Sequence, residues 1–310
     1  MFCRFDRKIK MKRIHQVKDK YDWYFDKFYK YLTPESAINA LENCTLKFSN
    51  PKLFNDPLDC SELFFSETFE SFNNKGNNDK LKILKSALLI ADCLIKDDKE
   101  IANKIKSIRN KMFLYKSNWT KLDSQKANEK LLKVYNLVLS IKLDDLKRQY
   151  FICCFSENYK TKKSTLMWSH YGQSHKGLCI GFDYSKIKAE NILEINEIQQ
   201  FTPYRVKYTS NLQTLNPKLE SSNYDWLLLK SNIWDYEKEV RVIVNEPKLN
   251  EEYIYREFPK ELVFKIVFGA NAEKGFIKRI SEIIIEKGYK NVVLEKMYVD
   301  FDLKLKSRIL

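Results

Sequence analysis

Polar and aromatic side chains crowd together at three places in this sequence, each beside a stretch with strand character. The first combines residues 29–33 with the loop 54–59, the second combines 154–157 with 166–172, and the third is 234–241. Together they supply cations, carboxylates, hydroxyls and planar rings, which are the groups that bind a planar ligand or transfer a proton. The three clusters are far apart in sequence, so a shared site requires the fold to bring them together.

The third cluster offers the most specific chemistry. Glu237, Glu239 and Arg241 alternate with other residues, and strand side chains alternate between faces, so we expect all three on one face. Three charges do not face a core, and they should therefore face solvent or a cleft. Two carboxylates beside an arginine form either a tuned acid–base pair or a plain surface ion pair. In the catalytic interpretation Glu239 carries the reaction, Glu237 is its neighbour, and Arg241 holds the carboxylate in place.

Several other chemistries are disfavoured by the motifs that the sequence lacks. There is no P-loop, GxGxxG, HExxH or GxSxG pattern, which argues against zinc hydrolases and simple nucleotide-phosphate sites. The three histidines are His15, His170 and His175, and their spacing predicts no metal site. The seven cysteines are scattered and form no CxxC pair, so we expect neither a zinc ribbon nor a disulfide framework.

The elements that must position these clusters predict an α+β fold with a mixed, mostly antiparallel sheet, flanking helices and a helical insertion. Residues 1–27 are expected to form a basic arm, and 28–310 a single domain whose insertion spans about 73–149, where apolar residues recur at helical spacing. Thr33-Pro34-Glu35 has the features of a helix start. Period-two or continuous apolar runs predict strands at 28–32, 45–49, 151–155, 177–182, 204–208, 240–244, 262–268 and 292–299, and helical patterns predict helices at 222–232 and 273–287.

The formal net charge of +14 attracts polyanions, of which nucleic acid and acidic membrane faces are the usual ones. The alternative is a solvated lysine-rich surface. Basic residues concentrate between Arg4 and Lys20, and we expect this arm to bind polyanions by counterion release. We find no stretch of about 20 apolar residues and no hydrophobic segment typical of a signal peptide, so we expect a cytoplasmic protein without a membrane partner.

Taken in order, the clusters resemble the prokaryotic family called domain of unknown function 2971 (DUF2971). The resemblance covers about residues 28–300 apart from the helical insertion, and the family carries no assigned activity. The matching segments are Tyr29-Lys30-Tyr31, Asn55-Asp56-Pro57 with Asp59, Cys154-Phe155-Ser156-Glu157, Met167-Trp168-Ser169-His170-Tyr171, Gly177 to Asp183, and Tyr236-Glu237-Lys238-Glu239-Val240-Arg241.

A second resemblance, to ADP-ribosyltransferases, implies a reaction. Those enzymes bind NAD in a split sheet with a basic residue on the first strand, a Ser or Tyr in the middle and a late Glu. Here Lys30, Ser169 or Tyr171, and Glu239 follow that order, with Lys30 replacing the family's His or Arg. The resemblance implies NAD as cofactor and Glu239, Glu237 and Arg241 as the catalytic group. The cofactor-binding residues are then Lys30, Tyr31, Thr33, Asn55, Asp56, Trp168, Ser169, His170 and Tyr171.

Three functions therefore stay open at the level of the sequence. The first is an ADP-ribosyltransferase that acts on nucleic acid or protein, used as a toxin or phage-defence effector with a partner protein of such a system. The second is a basic, non-catalytic nucleic-acid-binding module. The third is a metal-dependent nuclease that uses Asp56, Asp59, Glu237 and Glu239, which would have to converge on the ion.

Overall fold

The structure is a computed structural model, and it describes the chain in several separate ranges. These are residues 27–61, 149–161, 163–186, 202–210, 225–247, 251–302 and 304–310, with scattered residues between 74 and 148. The expected basic arm, apart from Lys27, and most of the expected insertion at 73–149 lie outside the described residues. Both therefore stay predictions.

Twelve strands and three α-helices account for most of the described chain. The strands are β1 (Lys27–Leu32), β2 (Thr45–Ser49), β3 (Tyr150–Ser156), β4 (Leu178–Asp183), β5 (Pro203–Arg205), β6 (Lys207–Thr209), β7 (Leu229–Ser231), β8 (Glu239–Asn245), β9 (Tyr253–Glu257), β10 (Val263–Phe268), β11 (Val293–Val299) and β12 (Leu305–Ile309). The helices are α1 (Pro34–Asn43), α2 (Ser164–His170) and α3 (Lys274–Glu286). Within the described ranges, none of the helices has the length and apolar character needed to cross a membrane.

Ten of the strands form one mixed sheet in the order β12-β11-β10-β4-β1-β3-β2-β9, with β8 also pairing β3, and β5 pairing β8. Its pairs are antiparallel except for β10 with β11, while β6 and β7 form a separate parallel pair. This architecture confirms the predicted α+β fold with a mixed, mostly antiparallel sheet.

The sheet opens at β3. On one edge β8 pairs with β3 along its whole length, from Tyr150 to Ser156. On the other edge β3 meets β1 only at Tyr29 opposite Ser156, and β2 only at Ser49 opposite Ile152. Between these two points no strand of the described residues pairs with this edge, and the Lys30 ammonium donates a hydrogen bond to the Cys154 carbonyl at 2.9 Å. The divergence of β1 and β2 creates the space that the functional site uses.

The main core lies on one face of the sheet, where α1 and α3 pack against the strands and against each other. It contains Phe28, Phe48, Phe155, Phe182, Phe268, Ile280 and Ile283. The opposite face carries two smaller apolar clusters, one around Leu227 and Ile243 and the other around Trp168 and Met297. A polar site can lie between two such clusters without interrupting the main core.

The predicted start of α1 is confirmed. The hydroxyl of Thr33 accepts a hydrogen bond from the Ser36 N–H at 3.3 Å, and Pro34 occupies the first turn. The helix ends at Cys44, which has left-handed backbone with φ of 55°.

The predicted helix at 222–232 is wrong where the structure describes it. Asp225–Leu228 and Asn232–Glu237 are 3-10 turns, and β7 lies between them. Trp226 to Leu229 are all buried, and a segment buried on every side has no helical stripe to present. The single strand predicted at 204–208 is two short strands, separated by Val206, whose N–H donates to the Glu239 carbonyl at 3.0 Å.

Close backbone approach makes Gly177 a sensitive position at the start of β4. A Cβ there would lie 2.0 Å from the Leu32 carbonyl oxygen, so the strand end must shift. We expect Gly177→Ala to lower the free energy of unfolding by about 1–3 kcal/mol, measured by urea denaturation. Gly275 in α3 has no atom within 4 Å of its added Cβ, and Gly275→Ala should stabilise by up to about 1 kcal/mol. Equal effects of the two substitutions would contradict this account.

Candidate functional site

A cavity of about 270 Å³ lies where β1 and β2 diverge from β3. Its wall is formed by side chains from these three strands, the loop 53–59, α2 and the segment 230–239. The lining residues are Tyr29, Lys30, Tyr31, Lys47, Ser49, Leu53, Phe54, Asn55, Asp59, Ile152, Cys154, Phe155, Ser156, Met167, Tyr171, Lys230, Glu237 and Glu239. All three clusters of the sequence analysis contribute to this one cavity.

The floor of the cavity is an ionic cluster, which consists of Asp59, Lys230, Glu237, Glu239 and Arg241. All five side chains are almost completely buried. The Lys230 ammonium is the centre of the group: its Nζ lies 2.5 Å from Glu237 Oε2, 2.9 Å from Glu239 Oε2 and 3.4 Å from Asp59 Oδ2. One ammonium therefore holds three carboxylates from two parts of the chain.

Arg241 supports the cluster from below and does not line the cavity. Its Nε donates to Glu239 Oε1 at 2.8 Å, and its Nη2 donates to Glu239 Oε2 at 3.1 Å and to Asp59 Oδ2 at 2.6 Å. Its Nη1 donates to the Leu227 carbonyl at 2.5 Å. Because the guanidinium is a planar fork, these bonds set the orientation of the Glu239 carboxylate.

Two details of the sequence prediction for this segment are wrong. Arg241 faces neither solvent nor the cleft, since its own ion pairs satisfy it in the interior. Glu237 is not on the strand: it ends a 3-10 turn, Lys238 has left-handed backbone with φ of 43°, and β8 begins at Glu239. Alternation therefore does not bring the two glutamates together. Their shared contact with Lys230 does.

The two glutamates have opposite electrostatic environments. Burial by itself would raise the pKa of Glu239, but Arg241 and Lys230 outweigh it and hold that pKa well below the usual range. Burial raises the pKa of Glu237, and the Lys230 charge offsets this only in part. Burial would lower the pKa of Lys230, yet the carboxylates of Glu239, Asp59 and Glu237 keep it raised. Paired groups whose pKa values are driven apart are typical of an acid–base site.

Tyr171 connects the ionic cluster to α2. Its hydroxyl donates to Glu237 Oε1 at 2.7 Å, while the other oxygen of Glu237 accepts from Lys230. Burial raises the pKa of Tyr171, so the phenol stays a donor. Glu237 is thus held at both oxygens, and a change in its charge alters two hydrogen bonds at the cavity floor.

Six of the predicted site residues line the cavity: Lys30, Tyr31, Asn55, Tyr171, Glu237 and Glu239. Lys30 spans the gap between β1 and β3, as described above. The Tyr31 hydroxyl donates to the Asn158 carbonyl at 3.2 Å, and its ring packs edge-on against Trp168. Residues from the first strand and from the late strand therefore do meet, as the sequence predicts.

The structure does not place the other cofactor-binding candidates at the cavity. Thr33 caps α1, and Asp56 closes an Asx turn by accepting from the Leu58 N–H at 2.9 Å. Trp168 is fully buried in its apolar cluster. Ser169 and His170 belong to the exposed end of α2, where Ser169 donates to the Thr165 carbonyl.

Lys230 is a central member of the candidate site that the sequence analysis missed. It directly follows the buried run Trp226 to Leu229 and is itself buried. A lysine at the end of an apolar run is the signal that could have marked it, because a buried ammonium requires carboxylate partners. Asp59 was recognised only within the loop and as a nuclease candidate, yet it bridges Arg241 and Lys230.

Comparison with known proteins gives a family match. Residues 167–242 match the model of a family described as Protein of unknown function (DUF2971), which confirms the resemblance to that family. The matched segment contains Tyr171 and every member of the ionic cluster except Asp59. No curated protein and no solved structure matches the chain. The similarity to ADP-ribosyltransferases stays a prediction.

Removing the Lys230 ammonium should lower the stability of the folded protein. Lys230→Met leaves three buried carboxylates with Arg241 as their remaining cation, and we expect a loss of about 3–5 kcal/mol in the free energy of unfolding. Lys163→Met breaks an exposed pair with Asp235 instead and should cost at most about 1 kcal/mol. Urea denaturation of both variants checks the difference, and a Lys230→Met protein as stable as the wild type would refute the importance of the cluster.

The raised pKa of Glu237 also predicts a dependence of stability on pH. The folded protein holds this proton at pH values where the unfolded chain, with a pKa near 4.5, has lost it. The contribution of Glu237 to the free energy of unfolding of the wild type therefore falls as the pH rises from 4.5 through the pKa of Glu237 in the folded protein. Glu237→Gln cannot titrate, so its stability relative to wild type should increase over that window.

Glu239 should behave in the opposite way. Because its pKa is lowered in the folded protein, Glu239 stabilises the fold above about pH 4.5, and this stabilisation is lost as the pH falls toward the pKa of Glu239 in the folded protein. Glu239→Gln should therefore be most destabilising at neutral pH. The measurement for both variants is thermal unfolding across the pH range, and parallel profiles would contradict the assignment.

Proposed function

We propose that this chain is an enzyme that cleaves the glycosyl bond of a nucleotide substrate, with NAD as the first candidate, and transfers the ADP-ribosyl group to nucleic acid or protein. The observation that carries the proposal is the pair of glutamates at the cavity floor, one held ionised and one with a raised pKa. Paired carboxylates in different environments are the recurring means of breaking glycosyl bonds.

The electrostatic environment of Glu239 favours this reaction over a nuclease. Arg241 and Lys230 hold the Glu239 carboxylate ionised at the cavity floor, where it can stabilise a positive centre. Loss of nicotinamide from NAD develops positive charge on the ribose, which a fixed carboxylate stabilises. Phosphodiester cleavage would instead gather negative charge there. A metal nuclease would also need an ion among the carboxylates, and the Lys230 ammonium occupies that position among Asp59, Glu237 and Glu239.

The cavity lining fits part of a dinucleotide. Lys30 and Lys47 supply cations for a diphosphate, and Tyr29, Tyr31 and Phe54 supply ring surfaces. A volume of about 270 Å³ is at the small end of ligand pockets, so it suits the nicotinamide–ribose half of NAD rather than the whole molecule. The point charge of Lys30 would contact phosphate without the bidentate geometry of arginine.

The residues divide the reaction between them. Glu239, fixed by Arg241 and Lys230, stabilises the oxocarbenium-like centre as the glycosyl C–N bond breaks and its electron pair leaves with nicotinamide. An acceptor hydroxyl or amine then attacks the same carbon, and its proton passes to the Glu237 carboxylate, whose raised pKa suits a general base. Tyr171 and Lys230 position that carboxylate. We extend the proposal to action in the cytoplasm as a toxin or phage-defence effector, the setting in which such transferases are generally used.

Release of nicotinamide from labelled NAD tests the proposal. Glu239→Gln should lower the rate by about a hundredfold to a thousandfold, because it removes an aligned charge from the transition state. Glu295→Gln is the matched control, since Glu295 is a buried carboxylate paired with Lys265 outside the cavity. Thermal melts establish that each variant is folded.

Two outcomes would overturn the proposal. One is the absence of NAD cleavage by the wild-type protein when nucleic acid or protein acceptors are supplied. The other is full activity in both Glu239→Gln and Glu237→Gln. The first outcome would favour a non-catalytic nucleic-acid-binding module, and the second would refute the roles assigned to the two glutamates.

A further inference from the structure

The outer face of the β2–β9 pair carries an exposed aromatic and basic surface beside the cavity. In this pair Lys47 lies opposite Tyr255, and Ser49 lies opposite Tyr253. The alternate residues Leu46, Phe48 and Ile254 point into the main core. Strand geometry therefore places Lys47, Ser49, Tyr253 and Tyr255 together on the face away from that core.

The two tyrosines are exposed although their backbone is anchored. Tyr253 is 43% and Tyr255 is 54% exposed, and their ring centroids are 5.8 Å apart in an edge-to-face arrangement. The Lys47 ammonium lies 3.9 Å from the centroid of the Tyr253 ring. Among the residues that the structure describes, Lys47 has no carboxylate partner, so its charge remains available to an anion.

This surface continues into the cavity. Lys47 and Ser49 also line the cavity, and cross-strand partners have Cβ atoms about 5 Å apart, so both tyrosines lie directly beside the cavity wall. Farther along the same face, Thr45 lies opposite Glu257, whose carboxylate would repel a phosphate. The surface suited to an anionic, ring-bearing ligand is thus the end nearest the cavity.

We propose that Tyr253, Tyr255 and Lys47 form a stacking site for the bases of a single-stranded nucleic acid. Exposed aromatic rings beside a lysine are what unpaired bases and their phosphates recognise, because every base offers a π-face and every linkage offers a charge. A duplex hides those faces, and an apolar peptide would leave Lys47 without a counter-charge. The formal net charge of +14 supports the same class of partner.

This inference deepens the proposed function by naming single-stranded nucleic acid as the acceptor, and only that catalytic consequence rests on the proposed function. A base stacked on Tyr253 or Tyr255 would place a neighbouring nucleotide at the cavity entrance, within reach of the ribose held above Glu239. Binding of the strand itself requires no turnover.

Fluorescence anisotropy with labelled oligothymidylate and oligouridylate of about 12 nucleotides tests the site, using the full chain. The wild-type protein should bind single strands, and the Tyr253→Ala/Tyr255→Ala double variant should bind them at least about tenfold more weakly. The corresponding double Phe variant keeps both rings and should bind as the wild type does. Comparison of the two labelled strands shows whether DNA or RNA is preferred.

Three controls separate stacking from other effects. Tyr298→Ala removes a tyrosine of β11 that is also exposed and also lies beside a cation, Arg308, and it should leave binding unchanged. A duplex of matched length should lose no affinity in the double Ala variant. Lys47→Met should lower the salt dependence of binding to both single strand and duplex, because it removes one phosphate contact.

The outcomes distinguish this inference from the proposed function. Undetectable binding of single strands, or equal binding by the wild type and the double Ala variant, overturns the stacking site even if NAD is cleaved. An equal loss in the Tyr298→Ala control or in the duplex overturns it as well. Conversely, tyrosine-dependent binding that persists in Glu239→Gln, without NAD cleavage by the wild type, supports the stacking site and refutes the proposed reaction.

Discussion

The buried guanidinium of Arg241 is the interaction on which the rest of the site depends. Its donors bind Asp59 from the loop after β2, the carbonyl of Leu227 before β7, and Glu239 on its own strand. Desolvating an arginine costs several kcal/mol, and only well-aligned partners offset that cost. The burial of Arg241 therefore joins the three segments, and their meeting point is the floor of the cavity.

Lys230 adds a second cation above the first, and the two make the glutamates unequal. Glu239 contacts both cations, whereas the Glu237 carboxylate accepts hydrogen bonds from Lys230 and from the hydroxyl of Tyr171. The environment thus holds one carboxylate ionised and leaves its neighbour closer to a proton. This difference between two neighbouring carboxylates at the floor of a cavity is the physical reason for regarding the cluster as a candidate site and not only as a structural ion-pair network.

The opening of the sheet gives the cluster access to a ligand. If β1 paired with β3 along its whole length, its backbone would cover the Cys154 carbonyl and close the space above Glu239. Instead the Lys30 side chain satisfies that carbonyl, and β1 and β2 diverge around it. The same divergence leaves Lys47 of β2 at the cavity wall. Regular pairing of β2 with β9 then places Tyr253 and Tyr255 on the same face, next to the cavity.

Much of the framework could be predicted from local sequence. Period-two apolar runs identified β2, β3, β4, β8, β10 and β11 to within a residue or two, and Thr33-Pro34 marked the start of α1, because backbone geometry and capping act over a few residues. Three strands were missed: β7 has only three residues, while β9 buries a single residue and β12 buries none, so neither shows an apolar alternation. The ordered clusters also identified the family resemblance and led to the two glutamates.

What only the tertiary structure decided is the electrostatic environment of those glutamates. The sequence shows Lys230 as one of 55 basic residues, and although its place after an apolar run indicates burial, no local feature identifies its partners. Its partners include Asp59 from the loop 53–59 and Glu237 from the turn before β8. Trp168, which the sequence makes a candidate for ligand stacking, is instead buried in an apolar cluster. Burial and ion pairing are properties of segments that meet in space, so the charges of a site are determined only when the chain has folded around them.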